Sequence, residues 1–490
     1  MEYRMTTPEQ AGITSRAVQR YLACLEEAGL STHNILLARG EKILFELYYP
    51  PFTQDYLHRE YSQTKSIIAL AVGFALQEGR LSLDDPIEKF FPKETEGIPD
   101  PLMGAQTVRQ MLMMSTPKAG QSFFQLRSAD RVADYFRYMR TAAPLGSRFF
   151  YDSTGSFILG AMVERLTGMP LLDYLRPRLL EPLGITDGIH FLQCPGGHSW
   201  GDSALLASAR DMMKLCRFVL DDGCVDGRSL LDASYVRAAK SRLIETAAAE
   251  PGRRRSQQGY GYQIWKLYGE GFYFNGMGCQ FSIAVPEKDL VFVYNGDNQG
   301  IDTAGDTLID GFYEQIVGTA SDAPLPEDPV AKASLDAYAM SLKLMAERGA
   351  ESSPAEAAID GRTYTLAENP MGIRTLRLTF DAAGGRMIYV NAQGEKTLRF
   401  GRCENVFQLF PEEGYSREVG ATFCPGNYYQ CAVSGAWEAE DTLRLNVQVI
   451  DEYFGRLWIT LRFGEDGVDV RMTKTAEDFF DRYTGSAHGV

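Results

Sequence analysis

Ser62-Gln63-Thr64-Lys65 puts a hydroxyl and an amine three residues apart at the head of an apolar run. On a helix that spacing brings both side chains to one face, one turn apart. A lysine held in a dry site gives up its proton more readily and can serve as base to a serine hydroxyl. The helix N-terminus also favours negative charge developing beside Ser62. The same pattern recurs as Ser115-Thr116-Pro117-Lys118, but Pro117 breaks helical spacing and no buried helix follows. Ser62 is therefore the candidate nucleophile and Lys65 its base. The bland alternative is a helix cap followed by a surface lysine.

Such a site needs a proton relay, and tyrosine is suited to it. Tyr-x-[Asn/Ser] occurs as Tyr151-Asp152-Ser153, Tyr273-Phe274-Asn275 and Tyr389-Val390-Asn391. Tyr151 sits in a loop that leads through Ser153 into an amphipathic helix, the setting of an active-site edge. The third segment is Asn275-Gly276-Met277-Gly278-Cys279-Gln280, just ahead of a strand. Its two glycines let backbone approach a ligand closely, and such an edge can offer an N–H to an oxyanion. Asn275, Gly276 and Gly278 are the candidate substrate-binding positions. Taken singly, the tyrosine reads as structural and the glycines as a turn.

Other chemistries lack their residues. The chain has no Gly-x-Ser-x-Gly elbow, no His-Glu-x-x-His and no phosphate-binding Gly-x-x-x-x-Gly-Lys. None of the five histidines, His33, His58, His190, His198 and His488, stands where a triad base would. The eight cysteines (Cys24, Cys194, Cys216, Cys224, Cys279, Cys403, Cys424 and Cys431) include no Cys-x-x-Cys, so zinc and dithiol chemistry are not expected. Reduced thiols are the expectation, with Cys279 a small packing residue.

The elements that must position these residues follow from periodicity. Apolar runs flanking Arg39-Gly40-Glu41-Lys42 predict a hairpin over 34–49. Residues 62–78 predict a helix, apolar almost all round and therefore buried. Helical patterns at 107–114, 156–166 and 208–220 follow, then strands near 259–266, 279–285 and 289–295 and a helix over 303–317. Strands at both ends with helices between them predict one sheet interrupted by a helical insertion, an α/β or α+β fold. A Pro/Ala/Asp-rich stretch at 319–330 reads as a linker, and 331–347 as one more helix. From about 360 the period becomes two, as in Leu443, Leu445, Val447 and Val449. That predicts a separate antiparallel barrel or sandwich. The expected division is 1–320 catalytic, 321–357 linker and helix, and 358–490 an all-β accessory domain.

The chain has 490 residues, enough for two to four domains at about 150 each. Its composition is ordinary for a globular protein, and its net charge of −15 disfavours a nucleic-acid partner. The longest apolar run, Ile67 to Leu76, is about half a membrane span, so no membrane partner is expected. The first residues, Met1 to Thr6, show no secretory apolar region, and a cytoplasmic location is the expectation.

Taken together, the segments resemble the serine β-lactamase-like superfamily, which includes class C β-lactamases, penicillin-binding D-Ala-D-Ala peptidases, esterases and 6-aminohexanoate-dimer hydrolase. Tyr61-Ser62-Gln63-Thr64-Lys65-Ser66, followed by Glu78-Gly79-Arg80-Leu81-Ser82-Leu83-Asp84-Asp85-Pro86, is similar to the nucleophile helix and its exit. Val108 to Thr116 is similar to a segment that ends on a non-catalytic serine, here Ser115. Tyr151-Asp152-Ser153-Thr154-Gly155, Glu181-Pro182-Leu183-Gly184, Ser208-Ala209-Arg210-Asp211-Met212 and Val285 to Leu290 fit as well, so the resemblance covers about 8–318. It implies an antiparallel sheet flanked by helices, plus a helical subdomain. It implies an acyl-Ser62 intermediate, Lys65 as base, Tyr151 in proton transfer, and an oxyanion hole from the N–H groups of Ser62 and of a residue in the 276–279 edge, Met277 being the leading candidate, with no cofactor and no metal.

Two departures from the family pattern narrow the expectation. Ser153 stands where asparagine is common, and the esterase and amide-hydrolase branch tolerates it. No Lys or His lies between Leu267 and Glu287, where a Lys-Thr-Gly motif would help hold a carboxylate. Gly276-Met277-Gly278-Cys279-Gln280 is closer to the Gly-x-x-Gly-Gln edge of that same branch. The expected activity is thus hydrolysis of a small ester, amide or short peptide. Weak β-lactamase or D-amino-acid peptidase activity is one alternative, and a binding protein that kept the fold is another. A homodimer is compatible with either.

Overall fold

A computed structural model describes residues 3–126, 129–186, 188–413, 428–477 and 479–490. Met1, Glu2 and Cys424 lie outside the described residues. The chain divides into two compact units, the first ending at Lys343 and the second running from Leu344 to Val490.

The first unit is organised by a seven-stranded sheet. Its strands are Arg4–Met5 (β1), Thr32–Arg39 (β2), Lys42–Tyr48 (β3), Trp265–Lys266 (β4), Phe272–Gly276 (β5), Gln280–Val285 (β6) and Leu290–Gly296 (β7). Their order is β1-β3-β2-β7-β6-β5-β4, and only the β1–β3 pairing is parallel. The hairpin predicted around Gly40 is β2–β3. The late strands return beside it, so the residues between them form the predicted insertion. The strand expected over 259–266 shrinks to β4. Gly259 has φ 105°, Gln263 has φ 56°, and a Cβ on Gly261 would lie 2.0 Å from the Ala239 carbonyl oxygen, so this stretch bends rather than extends. The periodicity also left out β5, which carries the edge of the site.

The longer helices among the described residues of this unit are Ser15–Glu27 (α1), Thr64–Gln77 (α2), Ser153–Thr167 (α3), Ala209–Leu220 (α4), Ala304–Gln315 (α5) and Pro329–Ser341 (α6). In α1, Ala17, Val18, Tyr21, Leu22 and Leu25 form a buried stripe at helical spacing, and the Thr14 hydroxyl caps the Ala17 N–H. That stripe joins α5 and α6 in one core with the sheet, where Phe292 stacks on Phe312 at 4.6 Å. Helix α4 packs on β2, β6 and β7. The stretch before α6 is tied to the chain's start: the Ser321 and Leu325 N–H groups donate to the Gly12 and Glu9 carbonyls at 2.8 and 2.9 Å.

Every residue of α2 from Thr64 to Ala75 is buried, as its all-round apolar character predicts. Each large apolar side chain removed from water contributes roughly 1.5–3 kcal/mol, so this helix cannot shift without a large loss. Helix α3 packs against it. The loops at the N-terminal ends of both helices are therefore carried on one rigid pair.

The second unit is a β barrel, as the period-two pattern allows. Leu443, Leu445, Val447 and Val449 are buried, and Leu457, Ile459 and Leu461 alternate inward on the next strand. Successive strands run from Thr363–Thr365 to Gly485–Gly489. The two ends meet through Thr365 N–H to the Val490 carbonyl (2.9 Å) and Val490 N–H to the Thr365 carbonyl (3.1 Å), which nearly closes the sheet on itself.

Candidate active site

Tyr61–Gln63 forms a 3₁₀ turn that runs directly into α2. Residues i and i+3 eclipse in that geometry, which brings Ser62 and Lys65 closer than an α-turn does. The Lys65 Nζ lies 2.8 Å from Ser62 Oγ and donates to the Asp202 carbonyl at 2.7 Å. Lys65 is 1% exposed and Ser62 half-buried. Tyr61 precedes the serine at φ 44°, left-handed backbone that an aromatic residue rarely adopts. Its ring is held under the Arg59 guanidinium, 4.5 Å from the centroid. The strained residue thus sits where it aims the hydroxyl.

Tyr151 comes from the loop before α3 and is half-buried. Lys65 Nζ lies 5.1 Å from its ring centroid, and Trp265 of β4 stacks on the same ring at 5.9 Å. Ser153 opens α3 and is half-buried. Gln263 joins the two helices: its carbonyl accepts from Ser66 Oγ at 2.7 Å and its Oε1 from Ser156 Oγ at 2.8 Å.

The third segment is the β5–β6 hairpin. Gly276 pairs with Gln280, leaving Met277, Gly278 and Cys279 as the loop. Gly278 at φ 77° and Cys279 at φ 72° turn the chain sharply. The Gln280 side-chain amide donates to the Met277 and Gly296 carbonyls, both at 2.7 Å, and fixes the loop. The hairpin packs on the 3₁₀ turn, and a Cβ on Gly276 would lie 2.4 Å from the Glu60 carbonyl oxygen. Only glycine lets the strand come this close to the residues before Ser62. Met277 is exposed, and Asn275 and Gly278 are half-buried.

The structure therefore gathers Ser62, Lys65 and Tyr151 and packs the hairpin of residues 275–280 onto the turn that carries Ser62. A hydroxyl beside an amine, with a phenol against that amine, is an arrangement for moving a proton off a nucleophile. Other segments go elsewhere. Tyr273 is buried in the sheet, and the Tyr389 hydroxyl bonds that of Tyr483 inside the barrel at 2.8 Å. Ser115 Oγ donates to the Gln110 carbonyl. His33 and His58 face each other at 2.9 Å, and burial pushes His58 down to about 3. Burial pushes the Cys279 thiol up to about 12, which suits packing rather than nucleophilic attack.

Two buried carboxyls flank the site. Glu60 takes hydrogen bonds from the side-chain amides of Asn295 and Gln63, yet burial holds its pKa well above the usual carboxylate range. Burial likewise raises Asp202, opposed by the Lys65 cation. Sequence reasoning missed Asp202 and Gln263. Both offer a backbone carbonyl to a residue far away in sequence, and no residue type announces that contact. Among the described residues no His/Cys/Asp/Glu group has the arrangement of a metal site.

The sequence profile of the beta-lactamase family matches residues 16–306, more than half of the chain. The chain belongs to the beta-lactamase family. It is, at that level, an enzyme of the serine hydrolase type. This beta-lactamase family member is 22% identical over 265 residues to 6-aminohexanoate-dimer hydrolase of Paenarthrobacter ureafaciens, covering 50% of this chain and 67% of the relative. It is 32% identical over 157 residues to esterase EstB of Burkholderia gladioli, covering 28% and 39%. A solved structure from Bacillus anthracis, provisionally named a 6-aminohexanoate-dimer hydrolase, shares the fold. Its TM-score is 0.55 at 17% identity, over 67% of this chain and 89% of that one. The chain thus spans two thirds of the length of the first curated relative and well under half of the second. No helix among the described residues is long and apolar enough to cross a membrane.

Proposed function

We propose that this protein hydrolyses a small ester or amide through an acyl-Ser62 intermediate. Ser62 Oγ attacks the carbonyl carbon while its proton passes to the Lys65 amine, the base in this reading. The oxyanion is held by the N–H groups of Ser62 and Met277. The bond to the leaving group then breaks, and the leaving oxygen or nitrogen takes a proton relayed from Lys65 through the Tyr151 hydroxyl. Water, deprotonated by the same pair, releases the acid and restores Ser62. Ser153 lies beside the tyrosine at the mouth of α3, and Asn275, Gly276 and Gly278 border the substrate. The second unit is an accessory domain in this reading.

The observation that carries the proposal is the 2.8 Å contact of Lys65 Nζ with Ser62 Oγ, made by a lysine that is 1% exposed. A lysine buried against a hydroxyl and a carbonyl, rather than against a carboxylate, suits proton transfer better than anchoring. The names of the two relatives above, a hydrolase and an esterase, support an ester or amide substrate. The test is intact mass after treatment with a fluorophosphonate. One adduct is expected, absent in Ser62→Ala; no adduct, or one that survives the substitution, overturns the assignment. Neutral short esters are then compared with carboxylate-bearing β-lactams and D-peptides. Faster turnover of the carboxylate-bearing set would move the substrate class to β-lactamase or peptidase.

A further inference from the structure

Lys118, the lysine of the second Ser-x-x-Lys, does not touch Ser115's partner. Its Nζ lies 2.9 Å from Asp152 Oδ2, with side chains 1% and 5% exposed. It also donates to Gln106 Oε1 (2.8 Å), Thr116 Oγ1 (2.8 Å) and the Thr116 carbonyl (3.1 Å). Asp152 directly follows Tyr151 and stands at the N-cap of α3. An aspartate there normally accepts from the first N–H groups of its helix. This one makes no side-chain cap and turns its carboxylate to Lys118 and to the Thr154 hydroxyl. The backbone repeats the join: Gly146 N–H donates to the Ser115 carbonyl and Phe150 N–H to the Met114 carbonyl, both at 2.7 Å.

Burying two charges costs more than an apolar pair of the same size would, so the pair is a poor way to gain stability. What it does supply is direction: the ammonium is held at once by Gln106, Thr116 and the Asp152 charge, and the carboxylate by Thr154 as well, so the pair is fixed from several sides. We propose that Lys118 and Asp152 are positioning residues that hold the Tyr151 hydroxyl over the leaving group. The inference rests on the acyl-Ser62 reading. In that reading Tyr151 acts when the leaving oxygen needs a proton, so its placement matters most for basic leaving groups. Poor alcohols need the proton to depart, and nitrophenol does not.

The test uses the full chain carrying Lys118→Met together with Asp152→Asn, which removes both charges without leaving one unpaired. Acetate esters from nitrophenyl to ethyl are compared in the wild type, this variant and Tyr151→Phe. The double variant is expected to lose about 100-fold in kcat/KM on the ethyl ester and under about fivefold on the nitrophenyl ester, matching the slope of Tyr151→Phe. A loss that is uniform across the series, or no loss, overturns the proposal. If the double variant does not fold, Thr116→Val removes one contact of the ammonium and should show the same slope with a smaller loss; a flat series overturns the proposal there too. Fluorophosphonate labelling separates the two readings, since fluoride departs without a proton. An unlabelled wild type sinks the acyl-Ser62 reading, whereas normal labelling with a flat ester series sinks only the positioning role.

Discussion

In the segment from Ser62 the lysine reaches back to its own serine at 2.8 Å; in the segment from Ser115 it reaches 34 residues forward to Asp152 at 2.9 Å. The four-residue pattern is identical and both ammonium groups are buried. What differs is backbone. Ser62 enters a 3₁₀ turn that continues as α2, and eclipsed side chains meet. Met114 at φ 51° and Pro117 break the second segment into a turn, so Ser115 folds back to Gln110 and Lys118 enters a short strand. The partners differ as well. Lys65 bonds a hydroxyl and a carbonyl, whereas Lys118 is matched to a carboxylate.

The sharpest way to break this contrast is through activity. Lys65→Met should lower kcat/KM by about 10³-fold or more, the scale of losing a general base, while Ser62 keeps its place. Steady-state ester hydrolysis checks it. A variant that retains half its activity would place the base elsewhere.

The contrast in stability runs the other way. Lys118→Met alone strands the Asp152 carboxylate in a dry site, with an expected cost of about 3–5 kcal/mol in urea unfolding. Lys65→Met removes hydrogen bonds to a hydroxyl and a carbonyl rather than one half of a matched ion pair, and should cost less, about 1–3 kcal/mol in the same measurement. Equal losses in the two variants would mean that Lys65 is an anchor like Lys118. Burial pushes Lys118 below the usual lysine range despite Asp152, consistent with how dry the pair is.

A third comparison sets the two buried carboxyls side by side. Asp152 pairs with a lysine; Glu60, two residues before Ser62, is held by amides and has its pKa raised by burial. The folded state therefore keeps a proton on Glu60 that the unfolded chain releases. Its contribution to stability is fully present below the ordinary glutamate pKa and is lost as pH rises through the folded value. Glu60→Gln does not titrate. It should match the wild type at about pH 4 and gain on it above that, by at most about 1.4 kcal/mol per pH unit. Urea midpoints over a pH series measure this, and a pH-independent gap would show that Glu60 is ionised when folded. Gln63 Oε1 and Asn295 Oδ1 are buried without a partner, so a rotated amide is at hand to accept the Glu60 proton.

Much of this arrangement was readable before any coordinates. An all-round apolar run after Ser62 reads as a buried helix, and α2 is buried from Thr64 to Ala75 with Lys65 against Ser62. The period-two stretches from Leu376 onward announced strands because alternation has no other reading. Two things were not readable. The bend at Gly259–Gln263 looked like a strand because aromatic residues mask the glycines. The task of Lys118 depended on Asp152, and nothing local to either residue reports a contact across that many positions. Setting the second pattern aside as non-catalytic concerned Ser115 alone, and said nothing about its lysine.

The smallest effect belongs to Ser115, and it tests whether the second pattern retains any chemistry. Its Oγ donates to the Gln110 carbonyl at 3.1 Å, the residue is 1% exposed, and its carbonyl accepts from Gly146 through the backbone, which a side-chain change leaves alone. Ser115→Ala removes one neutral hydrogen bond and should cost about 1 kcal/mol in urea unfolding. Ester hydrolysis and the extent of fluorophosphonate labelling should stay within about twofold of the wild type, because a loss of that size leaves the fold intact. A collapse of activity with stability preserved would reverse the roles of the two serines. It would also require the Met114–Lys118 turn to open toward solvent, since Ser115 is 1% exposed and its hydroxyl proton is already given to the Gln110 carbonyl rather than to a base.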